Sequence, residues 1–169
     1  MHLGFKVISI IVSIIVVASA AGVFIYRNYE KETTGKIDFY IASDEVPNVT
    51  GIYLTLSMIG VYNGVTWSNH SINKKTDLYL DNFSSPGLID EINLPSHNYS
   101  YFTLYIVSAY IGVSGSYHKL SLTSNHTLNS FDLNLAGGTT VSLLFGFKIE
   151  GNLNISERTL TPVTTLTEQ

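Results

Sequence analysis

TVSLLFGFKI, from Thr140 to Ile149, alternates throughout: Val141, Leu143, Phe145, Phe147 and Ile149 fall on one side of an extended chain, with Thr140, Ser142 and Lys148 on the other. Successive side chains of a strand point to opposite faces, so this stripe predicts a half-buried β-strand. The same period appears upstream. Ile37, Phe39 and Ile41 oppose Asp38 and Tyr40, while Ile52, Leu54, Leu56 and Met58 oppose Tyr53, Thr55 and Ser57. Further strands are expected over Thr76 to Leu80, Tyr99 to Val113, Tyr117 to Leu122, Leu128 to Leu135 and Leu160 to Leu166. Pro86 to Leu94 reads equally as a short helix or a strand.

Turn signals separate these runs: Asn63-Gly64, Ser85-Pro86-Gly87, Ser114-Gly115-Ser116 and Gly137-Gly138. Short strands at this spacing, with no helical period between them, predict an all-β domain built as an antiparallel β-sandwich.

Before this domain lies VISIIVSIIVVASAAGVFI, Val7 to Ile25, nineteen residues without a charge. As a helix it would be roughly 28 Å long, near the hydrocarbon thickness of a bilayer. Twelve of its residues are Ile, Val or Phe, each favouring insertion, so three Ser and one Gly do not reverse the sign. The expected organisation is an N-terminal membrane anchor over residues 1–27, with a single transmembrane helix at 7–25, a linker at 28–35 and one domain at 36–169. Two processing alternatives stay open. Ala18-Ser19-Ala20 resembles a signal peptidase site, though the apolar run continues past it, and Lys6 before Val7 resembles a pilin-type cut without its usual neighbours.

Arg27, Lys31 and Lys36 follow the helix while only Lys6 precedes it, which favours a cytosolic domain by the positive-inside rule. The acceptor pattern for N-glycosylation argues the other way. Asn-X-Ser/Thr occurs at Asn48, Asn69, Asn82, Asn98, Asn125 and Asn154, all after the helix. Thirteen Asn in so Ser/Thr-rich a chain give about two or three such matches by chance, so the excess is roughly twofold. The localisation expected on this basis is the cytoplasmic membrane, single-pass, with the C-terminal domain outside.

Charged residues make up 13% of the chain, about half the usual share, which leaves a neutral, hydroxyl-rich surface. From Lys36 onward six Lys and Arg face eleven Asp and Glu, and the largest basic cluster is Lys74-Lys75. Nucleic acid is excluded as a partner on this balance. The absence of Cys removes disulfides, thiolate metal sites and a Cys nucleophile together.

No set of polar residues converges on a chemistry. His2, His70, His97, His118 and His126 share no metal-ligand spacing, so no metal is expected. Asp44-Glu45 and Asp90-Glu91 read as exposed loop charges. Ser116-Tyr117-His118-Lys119 matches a Ser-x-x-Lys nucleophile pattern, but in a strand positions i and i+3 point to opposite sides. Gly112, Gly115, Gly137 and Gly138 lie between strands, with no helix to receive an anion. No catalytic residue and no cofactor are expected, and the chain reads as a non-enzyme.

Eleven Tyr remain. Tyr99, Tyr101 and Tyr105 flank or face out of one long strand, and Tyr40 and Tyr53 fall on the outward sides of theirs. Two readings stay open: a surface patch binding carbohydrate or protein, or cross-strand packing on a half-exposed sheet.

With the strands placed, GKIDFYIASDEVPNVTGIYLTLSMIGVY resembles the first two strands of the family called domain of unknown function 4382, with Asp44 at the acidic turn and Trp67 on a short strand after it. LPSHNYSYFTLYIVSAYIGVSGSYHKL resembles its central block, and AGGTTVSLLFGFKI with LTPV its closing strands. Ser96-His97 departs from it, where the family has a small residue and Gly before Asn-Tyr. The resemblance covers about Gly35 to Val163 and implies a transthyretin-like or immunoglobulin-like sandwich exported in archaea or bacteria. It carries no catalytic residues.

The leading expectation is a membrane-anchored, glycosylated, extracytoplasmic domain with a structural, adhesive or protein- or glycan-binding role. Its partners would be the membrane, through the helix, and a surface protein or glycan. The oligomeric state is not legible. The alternative is a surface-filament subunit, pilin-like or strand-donating, and a third class is a hydrolase with dispersed residues.

Overall fold

The structure, a computed structural model, describes residues 19, 22–27, 29, 33–44, 49–74, 77–80 and 86–169. Most of the Val7 to Ile25 run, part of the 28–35 linker, Glu45 and the acceptors Asn48 and Asn82 lie outside the described residues. Among the described residues no helix is long and apolar enough to cross a membrane.

The rest is all β. The smaller sheet has the order β12 (Val163–Glu168), β9 (Thr140–Lys148), β1 (Thr34–Ser43), β5 (Gly87–Pro95). The larger is built on the long pair β2 (Gly51–Tyr62) and β6 (His97–Val113). On the far side of β2 lie β3 (Trp67–Ser71) and β4 (Asp77–Leu80); on the far side of β6 lie β7 (Ser116–Leu122) and β8 (His126–Leu135). Beyond β7 the sheet continues through β11 (Thr159–Leu160) to β10 (Leu153–Asn154). Pro86 to Leu94 is therefore strand rather than helix.

Both sheets turn their apolar stripes to one core. Phe39 and Phe145, neighbours across the smaller sheet, stack with centroids 5.9 Å apart, and Phe39 meets Phe102 of the larger sheet at 6.2 Å. The quoted stripe holds its phase, since Leu143, Phe145, Phe147 and Ile149 are all fully buried. Along one edge the sheets meet through polar side chains. The Asn129 amide nitrogen donates to the Thr164 hydroxyl at 2.8 Å, both residues being buried.

Four readings need correction. The sheets are mixed rather than antiparallel: β1 runs parallel to β9, and β11 parallel to β7. Alternation reports which face a residue occupies, not the direction of its neighbour, and no hairpin links these distant segments. Second, Met58 leaves the inward stripe. Bulges at Ser57 and Val107, on either side of the Leu56–Ile106 pair, each insert an extra residue, so Ile59 and Val61 become the core positions. Third, Leu160 to Leu166 divides. Leu160 ends β11 in the larger sheet, and Thr161-Pro162 carries the chain to β12 in the smaller; Pro162 has no N–H to continue a ladder.

Fourth, Asp90 is no surface charge. It is 4% exposed, and its carboxylate accepts from the backbone N–H of Asn73 at 2.8 Å and of Glu91 at 2.9 Å, pinning the β3–β4 loop to the smaller sheet. Asp44 also works structurally, accepting from Ile149 N–H at 2.6 Å where β1 and β9 end together. The Ser114-Gly115 turn closes β6 onto β7 with φ of 50° and 79°, the mirror-image geometry that suits twisted hairpins.

Candidate functional site

The outward face of the larger sheet collects the chain's exposed rings. Period-two geometry, reset by the paired bulges, sends Tyr53 and Tyr62 of β2 and Tyr101, Tyr105 and Tyr110 of β6 to the same side. Trp67, Tyr79 and Tyr117 join them from β3, β4 and β7.

They form two groups. At the end where β2 begins, Tyr53 packs on Tyr79 (4.4 Å) and edge-on against Tyr117 (5.0 Å), with Tyr110 directly across from Tyr53. At the opposite end, Tyr62 packs on Trp67 (5.3 Å) and Tyr101 (6.0 Å). Between them Tyr105 lies 5.8 Å from His126.

Glycines make the first group possible. A Cβ on Gly51 would come within 2.4 Å of the Tyr79 ring, and one on Gly112 within 3.0 Å of Tyr117, so each ring lies over bare backbone. The Tyr79 hydroxyl then donates to Thr50 O at 3.0 Å. The rings stay exposed: Tyr53, Trp67, Tyr79, Tyr101, Tyr110 and Tyr117 retain 37–53% of their accessible surface. Charge on this face is sparse, with Asp77 accepting from Thr55 at 2.8 Å and Lys119 opposite Tyr110.

Of the tyrosines singled out in the sequence, Tyr101, Tyr105 and Tyr53 lie on this face. Tyr40 belongs to the smaller sheet. Tyr99 is 4% exposed with its hydroxyl donating to Pro95 O at 2.8 Å, and burial raises its pKa. Tyr62, Trp67, Tyr79, Tyr110 and Tyr117 were not anticipated as part of the patch. For Tyr79 the signal existed, since Leu78 and Leu80 flank it in an alternating strand; for Tyr110 the bulge hid it.

The acceptor residues Asn69, Asn98, Asn125 and Asn154 are all exposed, whereas the buried Asn129 is not in an acceptor pattern. They are not gathered into one site. Asn125 borders a shallow groove of about 710 Å³ where β7 ends and β8 begins beside the bulge at Val107. The main ionic cluster is elsewhere, on the smaller sheet. There Lys36 lies 3.0 Å from Asp38 and 3.3 Å from Glu91, which also pairs with Lys74. The Asp38 bond chiefly raises the Lys36 pKa, and the Lys74 bond chiefly lowers that of Glu91. Among the described residues no three His, Asp or Glu side chains come together to hold a metal.

No family model matches the chain, and no curated protein does. Among solved structures, a candidate cell adhesion protein from Bacteroides ovatus aligns at 12% identity and a TM-score of 0.27, over 81% of this chain and 44% of its own. A leucine-rich repeat protein from Bacteroides thetaiotaomicron aligns at 10% identity and a TM-score of 0.25, over 65% of this chain and 13% of its own. The chain thus spans less than half the length of either, and likeness at this level carries no argument.

Proposed function

We propose that this chain is a non-enzymatic, membrane-anchored domain lying outside the cytoplasmic membrane, and that the outward Tyr/Trp face of its larger sheet is an adhesive contact surface. The observation that carries the reading is that face itself: six aromatic rings, each 37–53% exposed, on one side of one sheet. Tyr and Trp anchor contacts well because they offer large area at little rotamer cost, and monomeric proteins rarely display so many together without a partner.

The placement rests on the apolar run at Val7 to Ile25 and on acceptor residues that are exposed wherever they are described. The helical stretch at 22–27 adds to it, since Val23, Phe24, Ile25 and Tyr26 are each more than half exposed. The resemblance to domain of unknown function 4382, with a transthyretin-like or immunoglobulin-like sandwich, belongs to the same proposal.

The test is aggregation of cells displaying the full chain, compared with cells displaying a Tyr53→Ser/Tyr110→Ser/Tyr117→Ser variant at equal surface density. Adhesion should fall while the melting temperature of the variant's domain stays near the parent's. Unchanged aggregation by a folded variant overturns the reading.

A further inference from the structure

Asn69 is set apart from the other described acceptors by its neighbours. It sits on β3 facing outward, two residues beyond Trp67 on the same side of the strand, and directly across from Gly60 of β2. Because Gly60 has no side chain, its neighbours lean over it. A Cβ there would lie 2.9 Å from Asn69 Oδ1 and 3.5 Å from a ring carbon of Tyr105. Thr103, the next residue across, is covered to 4% exposure. Asn69 itself remains exposed. Its amide therefore emerges between two sets of rings: on one side Trp67, one same-face step of roughly 7 Å along β3, with Tyr62 and Tyr101 beyond it, and on the other Tyr105, whose ring shares the space over Gly60, with His126 beyond it.

We propose that Asn69 carries an N-linked glycan that lies back over these rings, so that the chain's own sugar covers one end of the aromatic face and leaves the Tyr53, Tyr79, Tyr110 and Tyr117 end for a partner. The chemistry suits it. Sugar rings present apolar C–H faces to aromatic rings, and the rings around Asn69 offer such a surface. Asn154, in contrast, lies in β10 at the far edge of the sheet, where its Oδ1 accepts from Glu157 N–H at 3.0 Å.

The inference rests on the extracytoplasmic reading, and the experiment separates the two. The full chain is purified from its own membrane, glycopeptides are identified by mass spectrometry, and exposed tyrosines are mapped by iodination in the parent, in Ser71→Ala and Asn69→Gln, which remove the Asn69 acceptor, and in Ser156→Ala, which removes that at Asn154. Glycan is expected on Asn69. Its loss should raise iodination of Tyr62, Tyr101 and Tyr105 about twofold or more, as rings covered by sugar are opened to solvent, with Tyr53, Tyr79 and Tyr117 unchanged and Ser156→Ala silent.

Unmodified Asn69 beside modified Asn98, Asn125 or Asn154 overturns the inference alone. Glycan on Asn69 with unchanged iodination overturns it too, as does an equal rise in Ser156→Ala. Absence of glycan at every acceptor overturns the inference and the extracytoplasmic reading together.

Discussion

Phe145 fills the centre of the core, fully buried and stacked on Phe39, while Ser142 on the same strand is only partly covered. Phe145→Ala should therefore cost about 3–5 kcal/mol in urea denaturation, and Ser142→Ala no more than about 0.5 kcal/mol. Equal losses would contradict the strand phase. His70 gives a pH signature. Burial lowers its pKa below the ordinary 6.5, so as pH falls the unfolded chain takes up the proton first. That stabilising contribution is present above 6.5 and lost as pH drops through the folded value, and a melting-temperature profile of His70→Gln should be flatter there. A parallel profile would exclude His70. Single residues were legible where alternation ran undisturbed, as at Leu143 or Phe147. They were not where a side chain's face depends on a register shift: Tyr99 and Tyr101 are two positions apart, yet one is 4% and the other 39% exposed. Asp90 was missed for another reason, since its partners Asn73 and Glu91 are backbone N–H groups, which no side-chain pattern announces.

Elements were legible as segments but not as neighbours. The predicted runs, where described, lie in strands except at Ile149, Thr161 and Pro162, because period two survives over most of their length despite the bulges in β2 and β6, while the parallel β1–β9 pairing and the division at Pro162 depend on contacts between remote parts of the chain. The bulges are the instructive case. Ile106 faces in, Ser108 out and Ala109 in, so Val107, 64% exposed, is an extra residue in the alternation that runs from Tyr101 to Val113. Deleting Val107 should leave every other side chain of β6 on its own face, and the variant should still unfold cooperatively, with a loss of about 1–2 kcal/mol. Deleting Leu144 from β9 is different. That strand has no extra residue, so bringing Leu143 next to Phe145 forces one half of the stripe to face water, and the cooperative transition should vanish. Comparable urea transitions for the two deletions would refute the bulge assignment. The aromatic face was half legible for the same reason: Tyr53 and Tyr79 follow from alternation, whereas Tyr62 and Tyr110 lie beyond bulges and Tyr117 is assigned to it by a turn.

At the scale of the whole molecule the choice lies between a monomeric anchor and a filament subunit. Strand donation needs a terminal strand that is free to leave its own sheet. Here β12 is already paired with β9 from Val163 to Glu168, and Thr164 is further held by Asn129 across the sandwich edge. That strand completes its own domain. A pilin-like assembly would instead use specific packing along Val7 to Ile25, where Lys6 lacks a small residue after it and the run has no acidic residue. An anchor needs that run only as lipid-soluble surface. Replacing Val7 to Ile25 with an unrelated apolar segment of equal length should consequently preserve surface display, measured by protease sensitivity of a C-terminal epitope on intact cells, and negative-stain microscopy of sheared surface material should show no fibre containing this chain. A full-length band that survives protease under conditions that degrade a known surface protein would place the domain on the other side of the membrane. Fibres composed mainly of this protein, lost on helix replacement, would make it a filament subunit, and the aromatic face would then be a contact between successive copies.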